Sequence, residues 1–294
     1  MRSYSTWKTS LAQIASSFLL GVVGLGGAQA QNFTTIDVPG ATNTRGRKIN
    51  DAGWMVGFYF DNASPIHSFV RTGQGSFSTF DFPGAAETRA QDINSLGDIA
   101  GDYQNSSGFS HGFLLDANNG TFTAIDVPGA LLTVAFGINN PGTITGAYFD
   151  GVALHGYLRS AKGDYTTVDF PGATNTGAGG LNNQGDLVGL YYDGAGMEHG
   201  FLRLAPSGSF ITIDVPGAAG TECHQINDRG QIVGNYFDHA GVPHVFLRAV
   251  DGTQTFVNFP GALATAAGGL NSTGALSGEY VDSTFKFHGF IETR

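Results

Sequence analysis

The chain writes one unit six times, and that self-similarity constrains its fold more tightly than any local motif. Pro-Gly-Ala begins at Pro39, Pro83, Pro128, Pro171, Pro216 and Pro260, at intervals of 43 to 45 residues. Other landmarks keep step. Asn50, Asn94, Asn139, Asn182, Asn227 and Asn271 each follow Ile or Leu, and a glycine stands seven residues beyond each. His67, His111, His155, His199, His244 and His288 are each followed two residues later by Phe or Tyr. Within a copy, apolar and β-branched stretches alternate with Gly, Pro, Asn and Asp clusters, which predicts four short strands separated by turns. In the fifth copy the strands are expected at Thr221–Ile226, Gln231–Tyr236, His244–Arg248 and Gln254–Asn258, with Asn227-Asp228-Arg229-Gly230 as a type I turn between the first two. No stretch shows sustained helical periodicity.

Four antiparallel strands repeating about every 44 residues are the signature of a β-propeller. The ends are out of phase with the repeat: the sequence after residue 30 opens on a lone fourth strand, Phe33–Asp37, and finishes near Ile291 after a third. That offset predicts an all-β, six-bladed propeller over residues 31–294, closed when the N-terminal strand completes the last blade. A linear solenoid would need polar caps that the sequence lacks. The 45 glycines fit many tight turns, and they do not form the G-X-Y triplets of collagen. Apolar residues at 41%, with 23 Phe spread along the length, exclude a disordered chain.

Residues 1–30 read as a secretory signal peptide: Arg2 and Lys8 precede an apolar run from Leu11 to Gly27, followed by Ala28-Gln29-Ala30. An uncleaved anchor is the alternative, although Gln13, Ser16 and Ser17 interrupt the run. No later segment reads as a membrane span, so the product is expected outside the cytoplasmic membrane, extracellular or periplasmic, and as a monomer. Removing Arg2 and Lys8 from the 14 Lys+Arg leaves 12 against 24 Asp+Glu, a net charge of −12 that disfavours nucleic acid and anionic membranes as partners. Cys223 is the single cysteine, so no intrachain disulfide is possible.

Gly-Ile-Asn at Gly137–Asn139, Ile-Val-Gly-x-Tyr at Ile232–Tyr236 and His-Gly-Phe-Leu at His111–Leu114 give the unit its identity. It resembles the bacterial extracellular repeats of the HAF family, across essentially all of residues 31–294. The resemblance implies export and repetition, and it carries over no activity or catalytic residue.

Features that every copy shares are expected to serve the fold. The six histidines are too far apart in a ring to share one metal, and one His with one Asp per blade is too few ligands for zinc, so no metal or cofactor is expected. Each imidazole is expected to hydrogen bond to the turn before it, where Asp61, Asp150, Asp193, Asp238 and Asp282 stand in five copies. Tyr59, Tyr103, Tyr148, Tyr191, Tyr236 and Tyr280 are expected to fill the space between blades rather than form a sugar-stacking ring. Asp37, Asp81, Asp126, Asp169 and Asp214, replaced by Asn258 in the last copy, read as turn caps.

Function is better sought where the copies differ. After a fixed Thr, four variable residues enter the innermost strand and should surround the mouth of the central channel. Copies one and two supply Arg45, Arg47, Arg89 and Gln91 there; copy three supplies Phe136; and copy five, opposite copy two, supplies Glu222 and His224. Copies four and six offer small residues that would leave room. A guanidinium cluster in an acidic protein suits carboxylate, sulfate or phosphate groups, although plain surface ion pairs would also account for it. The expected function is a non-catalytic binding module for an extracellular carbohydrate or small anionic ligand at the channel mouth. The alternatives are an extracellular hydrolase or lyase with His224 or Glu222 as general base, and an adhesion or matrix scaffold. No G-x-S-x-G, H-E-x-x-H, Walker or dinucleotide motif supports catalysis. Strand alternation places Cys223 on the opposite face from Glu222 and His224, which argues against it as a nucleophile.

Overall fold

In the computed structural model, described over residues 31–62 and 65–294, the chain is an all-β propeller of six blades, each a sheet of four antiparallel strands. The expected leader, residues 1–30, lies outside the described residues. Among the described residues no helix is long and apolar enough to cross a membrane. Blade one runs Asn43–Ile49, Met55–Phe60, Ile66–Arg71 and Phe77–Phe80 from the axis outward. Blades two to five repeat this meander, and blade five follows the sequence expectation to within about a residue, at Gly220–Ile226, Ile232–Phe237, Pro243–Arg248 and Gln254–Val257.

Blade six closes the ring with strands from both ends of the described chain. Asn32–Ile36 pairs antiparallel with Phe287–Thr293, in register from Asn32↔Thr293 to Ile36↔Gly289. Apolar and polar contacts fasten the join. The Phe33 ring lies 5.1 Å from Phe259 and 5.8 Å from Phe290, and the Thr35 and Tyr280 hydroxyls are 3.0 Å apart.

The repeated residues explain themselves once placed. At Pro39-Gly40 the Ala41 N–H donates to the Val38 carbonyl at 3.0 Å while Gly40 takes φ 84°, a type II turn that a β-carbon would strain. The fixed Thr44 accepts the Val38 N–H on its hydroxyl at 3.0 Å, and its five counterparts make the same bond. Each crossover is thereby held against the strand it feeds. The aromatic two residues past each histidine is fully buried (Phe69, Phe113, Tyr157, Phe201, Phe246 and Phe290). It lies on the repeated glycine of the neighbouring strand: a β-carbon on Gly101 would come 2.7 Å from the Phe113 ring.

The histidines do more than tie one turn. His155 Nε2 lies 3.4 Å from Asp150 in the preceding turn, as expected, and its Nδ1 lies 2.9 Å from Asp169 after the outermost strand. The same Nδ1 contact recurs at 2.7 to 3.2 Å in the other five blades. The aspartates expected to cap the Pro-Gly-Ala turn therefore clasp the third strand to the fourth. In blade six the partner is Asp37, so this clasp also spans the closure. Each repeated tyrosine whose ring contacts are resolved behaves as filler: Tyr103 stacks on Phe82 of the preceding crossover at 3.7 Å and on His111 at 5.2 Å.

At the far end of the innermost strands the asparagines link blade to blade. Asn50 Nδ2 donates to the Asn94 carbonyl at 3.0 Å, Asn94 to Asn139, Asn139 to Asn182, Asn227 to Asn271 and Asn271 back to Asn50. Each side-chain oxygen meanwhile accepts from its own turn, as Asn50 does from Ala52 and Trp54. This near-continuous circle is the strongest polar signature of closure.

Candidate functional site

The mouth lies at the opposite end of the axis, where the innermost strands begin. All six of these strands carry a bulge that breaks their pairing with the second strand. The slip falls between Ala90 and Asp92, Ala135 and Gly137, and Cys223 and Gln225, and across Gly46 to Ile49 in blade one. Gln91, Phe136, His224 and Arg47 therefore occupy bulges, which commonly re-aim a side chain beside a functional site. Four of the seven sequence-expected residues owe their placement to this irregularity.

The arginines sit near the axis and two of them are already paired. Arg45 Nη1 donates to Glu279 at 2.7 Å, with its guanidinium 3.7 Å over the Phe287 ring. Arg89 pairs with Glu87 and donates to Asp102 at 3.1 Å. Gln91 Nε2 donates to the other Asp102 oxygen at 2.8 Å. Arg47 differs. Its guanidinium lies 5.0 Å over Phe58, and its Nε is buried with no hydrogen-bond partner. Burial lowers the Arg47 pKa, while Glu279, Asp102 and Glu222 act on it through space and oppose that shift. Carboxylates of blades two, five and six thus act electrostatically on one side chain.

Across the axis, Glu222 is buried and accepts from Asn235 Nδ2 at 3.0 Å, with His224 Nε2 at 2.9 Å. Burial opposes ionisation of Glu222, but His224, Asn235 and Arg47 together outweigh it and hold the carboxyl below its ordinary range. Glu198 of blade four moves the other way. Burial, then the Glu222 charge, push its pKa up to about 8, so the two carboxyls hold one proton between them at neutral pH. Cys223 faces away as expected, packed with Val188 and Ile213, and burial pushes its thiol up.

The channel has a floor. Buried Lys48 reaches across blades, with Nζ 3.2 Å from Asp92 Oδ2 and 2.8 Å from the Phe136 carbonyl, while the same Asp92 oxygen accepts the Ile138 N–H at 2.9 Å. The glycines of copies four and six, expected to leave room, mostly let strands touch instead. A β-carbon on Gly269 would come 2.9 Å from Lys48 Cα, and one on Gly180 2.7 Å from the His224 carbonyl. Gly177 is the exception, with nothing nearer than Leu190 at 3.8 Å. Beyond this floor, the asparagine end lines an open cavity of about 60 Å³.

Sequence reasoning missed Asp102, Asn235, Glu279 and Glu198. The first three occupy the middle position of the repeated Gly-x-Tyr, which reads Phe58, Asp102, Ala147, Leu190, Asn235 and Glu279. That position lies directly across the ladder from the first variable one: Arg45↔Phe58, Arg89↔Asp102, Glu222↔Asn235, Ala266↔Glu279. Its variability was the signal available. Among the described residues no cluster of three or more His, Cys, Asp or Glu could hold a metal ion.

No family model matches the chain, and no curated protein matches it. Solved structures are similar in fold. TolB from Acinetobacter baumannii superposes with a TM-score of 0.59 at 12% identity, covering 83% of this chain and 65% of that one. An Aleuria aurantia lectin in complex with Fucα1-6GlcNAc gives 0.56 at 13% identity, covering 85% and 91%. A virginiamycin B lyase from Staphylococcus aureus gives 0.51 at 11% identity, covering 88% of each chain. At such identities the likeness establishes the propeller and nothing finer.

Proposed function

We propose that the chain is a secreted propeller of the HAF type that binds an extracellular carbohydrate or small anionic ligand at the channel mouth. The observation that carries this reading is a polar set at the mouth that no other part of the ring shares: Arg45 on Glu279, Arg89 and Gln91 on Asp102, Glu222 with Asn235 and His224, and Arg47 with a buried Nε that has no partner among the described residues. Paired carboxylates and guanidinium groups beside Gln91, Asn235, His224 and half-buried aromatic faces suit a polyhydroxylated ligand, because each offers directional donors or acceptors while rings cover the sugar's apolar face. A lectin among the solved structures of similar fold accords with this use of a propeller. The leader-like residues 1–30 support export. A glycan array tests it: wild type should retain a discrete set of glycans that Arg45→Ala/Arg89→Ala loses. Binding retained by that double variant would remove the mouth from the account, and binding to no glycan or small anion would favour a scaffold.

One observation favours a second reading. Ionised Glu222 holds His224 Nε2 at 2.9 Å, the carboxylate–imidazole arrangement that orients a general base. A hydrolase or lyase acting on uronate-containing polysaccharide or esters would lose turnover in His224→Ala, and unchanged turnover would exclude this histidine.

A further inference from the structure

The mouth holds unmet hydrogen-bonding groups of two kinds. Arg45 and Arg89 have carboxylate partners, but among the described residues Arg47 has no ion pair and its buried Nε has no acceptor. A buried N–H without an acceptor is costly, so this half-buried arginine is poised for an acceptor from outside. One carboxyl oxygen of the mouth is the converse: Glu279 Oε2 is buried without a donor among the described residues. The other Glu279 oxygen is taken by Arg45, which fixes the side chain and aims the free one.

We infer that Arg47 anchors the carboxylate of a sugar acid, and that the mouth takes only the end residue of such a chain. This deepens the binding reading above and rests on it. A single unpaired arginine among Glu279, Asp102 and Glu222 suits one negative charge; a dianion would meet those carboxylates at greater cost. A planar carboxylate matches the guanidinium fork with two parallel hydrogen bonds. A hydroxyl donor on the same residue would satisfy the free oxygen of Glu279. Recognition of an end follows from the floor, since the buried Lys48 side chain reaches from blade one to Asp92 and the Phe136 carbonyl in blades two and three and blocks the axis below. A polymer cannot thread through.

Calorimetric titration with short and long oligogalacturonates, and with their methyl esters, separates the parts of this inference. Molar affinity should be independent of chain length, because every chain offers one qualifying end. Esterification should weaken binding by about tenfold to a hundredfold, as loss of charged hydrogen bonds predicts, and this comparison uses the native protein alone. Arg47→Gln should lose a similar factor and Arg47→Lys less, with unchanged circular dichroism. Affinity rising in step with length would overturn end recognition; equal binding of the esters, or full affinity in Arg47→Gln, would overturn the anchor. If wild type binds neutral glycans but no galacturonate, the inference fails and the binding reading stands. If it binds neither sugars nor small anions, both fail.

Discussion

The two ends of the six innermost strands make a natural comparison. At one end every copy presents asparagine, and its amide crosses to the next blade in a nearly complete circle. At the other end the same strands present Arg45, Arg89, Val134, Gly177, Glu222 and Ala266, with no two neighbours in the ring alike except the arginines. The backbone is the same at both ends, so what differs is the demand placed on the side chains. Closure asks the same bond of every blade. A binding site needs different groups at different angles. Repetition therefore marks the framework, and divergence marks the place to look for function.

Substitutions can break this comparison, and the largest effect is expected at the floor between the two ends. Lys48→Met leaves Asp92 buried without its cation and should cost roughly 3–5 kcal/mol in urea denaturation, while Lys48→Met/Asp92→Asn, which removes the charge and keeps an oxygen for the Ile138 N–H, should recover much of that. A double variant no more stable than the single would mean that Asp92 is not the group left stranded. At the framework end, Asn94→Ala removes a donor to the Asn139 carbonyl and the acceptor for two turn amides, at about 2–3 kcal/mol. At the mouth end, Arg45→Met/Glu279→Gln removes both charges of a pair together and should cost no more than about 1 kcal/mol, because it strands neither partner and the guanidinium is partly open to water. An equal cost at the two ends would erase the distinction.

Proton linkage sharpens the same contrast. Burial opposes the His155 imidazolium, but Asp169 and Asp150 outweigh it and raise its pKa. Its contribution should therefore be fully present below about pH 6.5, the ordinary histidine value, and fade as pH rises through the raised value. Wild type and His155→Gln should accordingly differ in acid and converge in base. Glu198 has the opposite character. Its pKa of about 8 means that the folded state keeps a proton the unfolded chain has lost, so stability declines from the ordinary carboxyl range up to about pH 8. Glu198→Gln should flatten that decline, and a variant with the wild-type pH profile would show that Glu198 does not carry the proton.

Much of this fold was legible because the sequence states each rule six times. The Pro-Gly turn, the fixed Thr44 and its counterparts, and the offset that sends Asn32–Ile36 to blade six all follow from spacing. The aspartate clasp was visible as a repeated residue but assigned to the wrong bond: Asp169 follows Tyr165–Val168 immediately, and only the pairing of neighbouring strands brings it to His155. The candidate site was half legible. Arg45 and Glu222 could be found from variability along one strand, whereas Glu279 and Asn235 required the ladder register. The bulges at Arg47 and His224 were invisible, since an extra residue in a strand changes where a side chain points without changing the composition.

Hydrogen exchange with and without a glycan retained on the array tests the central claim most directly. The account predicts slowed exchange in the innermost and second strands of blades one, two, five and six near the mouth, with the asparagine circle and the histidine clasps unchanged. Protection distributed equally over all six blades, or confined to the outermost strands, would contradict it.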